Sequence, residues 1–370
     1  MKSVPRGICT AMLALAIGST LAAVRPVSAT CLVRVRPNES ARRVDITVDG
    51  QPFTSYIWPE SLTKPVLYPI ISATGETVTR GFPLDPQRGE RTDHPHQVGL
   101  WLTYGNVNGI DFWNNSTTSP ASERTKMGTI VQRRIVHTED GVGKGELEVE
   151  AEWLMPDGVP VLKEETRFIF CAAGNTRSID RITQLTAERG KVEFKDDKEG
   201  VFGMRVARWL EGPELKAQTL TDSSGKKTEV PESDGCGATG EYVTSEGIKG
   251  DAVWGTRGRW CLLHGHTPGM RDVITGRSGR HILGSEPAEM TLAILDHPGN
   301  PGFPTYWHAR SYGLFAANPL GEKQLSGGKQ ELNFTLGSGK TATFKYRVLI
   351  VSGPPSVEQI EAQYRDFAGR

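Results

Sequence analysis

The chain has 370 residues, 37% of them hydrophobic, with 42 Gly, 23 Pro, and 43 Lys plus Arg balanced by 43 Asp plus Glu. That composition describes a folded, turn-rich protein and excludes collagen and general disorder. A zero net charge offers no broad footprint for nucleic acid or a membrane surface. Residues 1–29 read as an export signal. Lys2 and Arg6 supply the positive start, residues 11–24 are apolar and small, and Val27-Ser28-Ala29 is a small-residue cleavage site. No later stretch reaches the ~18 apolar residues of a membrane span. Cleavage after Ala29 leaves 40 basic residues against 43 acidic ones, and the expected location is the periplasm or the exterior. Cys31, Cys171, Cys236 and Cys261 remain, an even count without any Cys-x-x-Cys spacing. One disulfide and a set of buried thiols are equal alternatives.

The body reads as strand after strand. Residues 44–48, the Asp49-Gly50 turn and residues 52–58 have the form of a hairpin. Leu147, Val149, Ala151 and Trp153 alternate with Glu146, Glu148, Glu150 and Glu152, which predicts one dry face and one acidic wet face. Asp157-Gly158 turns the chain into a strand over 161–171, with further strands over 178–187 and 192–195. Residues 331–336, a Gly-Ser-Gly turn at 337–339 and residues 341–351 predict a last hairpin. The polar stretch 221–240 reads as a loop within the domain. Residues 356–367 alone have a good helical pattern, capped by Ser356, with Ile360, Ala362, Tyr364 and Phe367 as the apolar side. The predicted fold is all-β: one large antiparallel β-sandwich over residues 30–370 with a short C-terminal helix.

Six of the eight histidines cluster in three groups. Asp93-His94-Pro95-His96 precedes a strand over 98–104. Pro95 favours an extended His94, and a two-residue spacing in extended backbone puts both imidazoles on one face. Such a pair suits acid–base work or a metal, and Asp93 could serve as a ligand or fix a tautomer. Arg91, Trp101, Tyr104, Asn106, Asn108, Asp111 and Trp113 crowd polar and aromatic groups around it. The second group is Asp296-His297-Pro298, with Pro301, Pro304, Trp307, His308 and Arg310, a loop stiffened by proline. In extended backbone Trp307 and His308 point to opposite sides, so only one need meet a ligand. The third group, His264-Gly-His266, reads as structural and near a turn. In the charge run Asp196-Asp197-Lys198-Glu199-Gly200, Glu199 is the candidate buried acid. No dinucleotide fingerprint, Walker loop, Gly-x-Ser-x-Gly or nucleophilic cysteine context is present.

The strings DHPHQVGLWLTYGNVNGIDFW (93–113), KEGVFGMRVA (198–207), WGTRGRW (254–260) and DHPGNPGFPTYWHARSYGLFAANPLG (296–321) carry a resemblance. They are similar to a soluble bacterial family of unknown function labelled "methane oxygenase PmoA". Where that family more often has His-His-Arg, this chain has His96-Gln97-Val98. The resemblance implies a galactose-mutarotase-like supersandwich and a place in carbohydrate metabolism. The expected function is then an exported carbohydrate-active enzyme of epimerase, lyase or hydrolase type. Its acid–base set is His94, His96, His308, Glu199 and Asp296. Trp101, Tyr104, Asn106, Asn108, Trp113, Arg205, His297, Trp307 and Arg310 form the expected sugar-binding set. One alternative uses His94, His96 and His308 as ligands to a divalent Zn, Fe or Mn ion. Another is a non-catalytic carbohydrate-binding module resting on aromatic platforms.

Overall fold

A computed structural model describes residues 1, 31–213, 217–221, 225, 227–230, 232, 237–268 and 287–370. Apart from Met1, the export signal lies outside the described residues, as does Cys236. Cys171 and Cys261 are free thiols.

Two large antiparallel sheets form the architecture. The first has nine strands, in the spatial order Tyr306–Arg310, Leu314–Asn318, Gly200–Arg205, Leu100–Tyr104, Val66–Leu67, Gln51–Ile57, Arg43–Val48, Leu32–Asn38 and Gly141–Val142. The second has eight, in the order Glu241–Thr244, Trp260–His266, Glu289–Asp296, Thr341–Ser352, Thr176–Thr186, Pro160–Ala173, Lys144–Leu154 and Thr129–Glu139. Alternation along each strand gives each sheet an apolar inner face. Across the seam Phe202 stacks on Tyr346 at 4.6 Å between ring centres, and Phe53 meets Phe170 edge-on at 6.2 Å. Burying each such aromatic ring contributes about 1.5–3 kcal/mol.

The first hairpin forms as its turn residues dictate, with Asp49 and Gly50 at φ of 50° and 80° between paired strands. Leu147, Val149, Ala151 and Trp153 make the expected dry face. Glu146 departs from the acidic wet face: it is buried, held by Lys144 at 2.8 Å and by Arg167. The predicted last hairpin does not form. Phe334–Leu336 pairs with Val192–Phe194, while Thr341–Ser352 inserts between Thr176–Thr186 and Glu289–Asp296. The strand is buried without a break over Tyr346–Val351, a stretch that two neighbours inside the sheet cover and a short partner across a turn would not. The stretch read as a loop at 221–240 contains part of a hairpin, Gln218–Thr221 paired with Lys227–Val230. His264 and His266 lie on the strand Trp260–His266, and His264 Nδ1 meets Thr291 Oγ1 at 2.9 Å.

The C-terminal helix, Val357–Ala368, covers the outer face of the eight-stranded sheet. Ile360 and Phe367 are buried beside Trp260, Leu295 and Leu349, whereas Ala362 faces solvent. Ser356 Oγ accepts from Gln359 N, and Gln359 Oε1 accepts from Ser356 N, so the cap is reciprocal. Ser356→Ala is expected to cost about 1 kcal/mol, read as a lower urea midpoint at constant slope.

Candidate active site

The site stands on the outer face of the nine-stranded sheet. Across the register His308 lies beside Ala316, Ala316 beside Gly203, and Gly203 beside Trp101. Small residues keep this strip low: a Cβ on Gly203 would fall 2.7 Å from Trp101. Alternation sends Trp307 and Ala309 into the core and leaves His308 and Arg310 on the outer side. Tyr312, two residues beyond Arg310, lines the same cavity.

The Asp93–Gln97 corner comes down on that strip. Gln97 N donates to the His94 carbonyl at 3.0 Å, closing a turn over Pro95 and His96. His94 has φ of 45°, so the predicted extended geometry is replaced by a left-handed one. The cause is the buried Arg80, whose guanidinium donates to the carbonyls of Asp93, His94 and Gln97 at 2.8–2.9 Å and of Arg91 at 3.3 Å. Pro95 suits the second position of such a turn. The two imidazoles still meet, edge-on at 5.6 Å, and His94 stacks on Tyr312 at 5.2 Å. Asp93 Oδ2 lies 2.6 Å from His94 Nδ1, and Arg205 Nη2 donates to Asp93 Oδ1 at 3.0 Å. Although burial opposes it, the Arg205 guanidinium, with His94 and Arg80, holds the Asp93 carboxyl well below the usual range. An ionised Asp93 can only accept, so His94 carries its proton on Nδ1 and keeps Nε2 as a base.

The charge run supplies the opposite wall. Asn318 Nδ2 donates to the carbonyls of Asp197 and Lys198, and Glu199 N donates to Asp197 Oδ1. These bonds bury Asp197, Lys198 and Glu199. Lys198 Nζ lies 3.2 Å from Glu199 Oε1 and donates to Thr221 O at 2.6 Å. His308 Nδ1 is 3.0 Å from Lys198 O. A carbonyl only accepts, so His308 too is an Nδ1–H tautomer with a basic Nε2. Burial lowers the pKa of all three imidazoles, those of His96 and His308 well below 6.5. They are therefore neutral near pH 7. His96 Nε2 is buried without a hydrogen-bond partner.

His94, His96, His308, Lys198, Glu199 and Arg310 line one cavity of about 160 Å³, with Asn114, Ser116, Ser119 and Thr228 around its rim. Arg310 lies 4.5 Å over the Trp254 ring, and its Nε has no partner. Arg205 sits behind the site rather than in it, bonded to Gln97 Oε1 at 2.6 Å and to Asp93. Among the described residues no three His, Cys, Asp or Glu side chains are grouped closely enough to hold a metal ion.

Several expected site residues lie elsewhere. Asp296 accepts from Asn300 Nδ2 and Thr305 N, bracing the proline loop, and burial pushes it up to about 7. His297 accepts from Gly299 N and packs edge-on against Phe367 of the C-terminal helix. Trp101 and Trp113 pack on each other at 5.2 Å, and both are fully buried, as is Trp307. Tyr104 is in the core, its hydroxyl donating to Leu320 O and accepting from Asp197 N. Asn106 caps a turn at Gly109, and Asn108 accepts from Glu193 N. Large rings and short amides here satisfy the core and the turns first. None of these side chains lines the cavity.

Sequence reading missed Lys198, Tyr312, Arg80 and Lys64 as site or supporting residues. Tyr312 could have been found from the two-residue period of His308, Arg310 and Tyr312. Lys64 gave no signal. It is buried, donates to Trp113 O at 3.1 Å, lies 5.8 Å over Trp101, and burial pushes it down to about 7.

No helix among the described residues is long and apolar enough to cross a membrane. No curated protein matches the chain. Among solved structures it is similar to the GH36 α-galactosidase AgaB from Geobacillus stearothermophilus, at 10% identity and TM-score 0.36, over 86% of this chain and 41% of that one. It is also similar to the galactosidase domain of the α-galactosidase–sucrose kinase AgaSK, at 9% identity and TM-score 0.35, over 86% and 42%. The chain thus spans about two fifths of these structures' length. The methane-oxygenase label is carried by none of these matches. A family model matches residues 43–365, and the chain belongs to that family, described as "Family of unknown function (DUF6807)".

Proposed function

We propose that this chain is an exported acid–base enzyme acting on a sugar or an oxidised sugar derivative. The observation that carries the reading is the convergence of His94, His96, His308 and Glu199, drawn from three distant stretches, on one cavity. His94 takes a proton at Nε2, and the ionised Asp93 at its Nδ1 stabilises the imidazolium that results. His308 stands ready as a second base at Nε2. Lys198 and Arg310 offer positive charge to a carboxylate or a developing oxyanion, and the rim hydroxyls and amide suit a polyhydroxylated substrate. Ring opening, epimerisation, elimination and hydrolysis all need a base placed in this way.

The acid–base reading is favoured over the metal reading because, among the described residues, no three His, Cys, Asp or Glu side chains are grouped closely enough to hold a metal ion. It is favoured over the binding module because Trp101, Trp113 and Trp307 offer no open face. The test is an NMR screen of sugars, uronates and their glycosides for conversion by the full chain, repeated with His94→Ala. Conversion of one class, reduced at least about 100-fold by the substitution, is the expected result. Binding without conversion would favour the module. Activity that depends on a stoichiometric metal removed by chelation would favour the metal enzyme.

A further inference from the structure

A second cavity, of about 560 Å³, lies against the first, and Pro95, His96, Ser116 and Thr118 line both. Its lining is the more apolar of the two, although Ser61, Thr63, Lys64, Thr92, Asn115 and Thr117 also contribute to it. Leu62, Val66, Phe82, Pro83, Leu84 and Val98 supply its apolar lining. Its buried polar neighbours already have partners: Lys64 Nζ donates to Trp113 O, Thr63 Oγ1 to Asn115 O, and Asn115 Nδ2 to Gly128 O. The side chain left over is His96, which is buried, sits in the shared wall and has an unpartnered Nε2.

We propose that the second cavity binds an aryl or alkyl appendage carried by the substrate whose polar ring occupies the first. The inference rests on the function proposed above and adds a substrate class to it: a sugar or sugar acid joined to an apolar group. A polar compartment and an apolar one on either side of one imidazole match the two ends of such a molecule. The linking atoms would pass His96 in the wall that the two cavities share. Transfer of the apolar end from water adds binding to the polar and charged contacts of the first cavity.

Benzyl alcohol, a probe for the apolar end alone, tests this by isothermal titration against the full chain. Saturable one-site binding is expected, weakened at least tenfold by Leu84→Trp, which fills the cavity from its half-buried lip, and unchanged by His308→Ala. In the unsubstituted chain the same probe should slow hydrogen exchange at residues 61–66 and 115–118, a readout that does not depend on a variant folding. No saturable binding below about 10 mM, or protection elsewhere in the chain, overturns the proposal. Equal affinity in a folded Leu84→Trp chain also overturns it. Should Leu84→Trp leave the probe untouched while His308→Ala abolishes turnover, the appendage site falls and the enzyme reading stands. The reverse pattern removes the enzyme reading and leaves an apolar binding site.

Discussion

His308→Ala is expected to lower kcat/KM by about 10²–10⁴-fold, the range that loss of a positioned acid–base group produces. The size follows from its tautomer. With Nδ1–H committed to the Lys198 carbonyl, the ring has one basic nitrogen, and burial keeps it unprotonated near neutral pH. Turnover in the unsubstituted chain should rise with pH along a limb lying below 6.5, because the base works only when neutral. In the residual activity of His308→Ala the part of that limb owed to His308 should be lost and the part owed to His94 should remain. His308→Asn, whose amide can still donate to Lys198 O, should keep the wall in place and remain inactive. A kcat/KM within threefold of the unsubstituted value in His308→Ala would remove this residue from the chemistry.

Lys64→Met carries the largest expected change in stability. Burial moves the lysine from 10.5 to about 7, a penalty on the charged form of roughly 4–5 kcal/mol. The sign follows from proton counts. Between about 7 and 10.5 the unfolded chain holds the proton and the folded one has released it, so stability rises with pH across that window. Below about 7 both states are charged and the penalty is constant. Methionine removes it, but leaves the Trp113 carbonyl without its donor at about 1–3 kcal/mol. The variant should therefore be more stable by about 2–3 kcal/mol at pH 6.5, and this advantage should vanish or reverse by pH 9.5. Urea unfolding at the two pH values checks it. An identical difference at both would mean that Lys64 stays charged in the folded chain.

Much of the sandwich was legible because its cause is local. The Glu146–Trp153 alternation and the Asp49-Gly50 turn specify strands and a hairpin without reference to distant residues. The partnering of residues 341–351 was not legible, since both of its neighbours come from far along the chain. The site divides in the same way. That Trp307 and His308 face opposite ways follows from strand geometry. The bend at His94 does not, because it is imposed by Arg80, 14 positions earlier, against the extended preference that Pro95 gives. Asp296 and His297 repeat the Asp-His-Pro pattern of the first corner, yet they serve the proline loop and the C-terminal helix. A residue pattern records chemical capacity, while hydrogen-bond demand nearby decides whether that capacity is used up. The aromatic residues make the same point: an indole with an apolar face to bury is claimed by the interior before any ligand arrives.

The Arg80 clamp bears on how a ligand is met. Ordering a backbone residue costs roughly 1–2 kcal/mol in conformational entropy. One buried guanidinium fixes the corner from Arg91 to Gln97 through four carbonyls, so that cost falls on folding and not on association. A molecule entering between His94 and His308 finds a rigid mould, and its affinity is spared the disorder that a free loop would have surrendered.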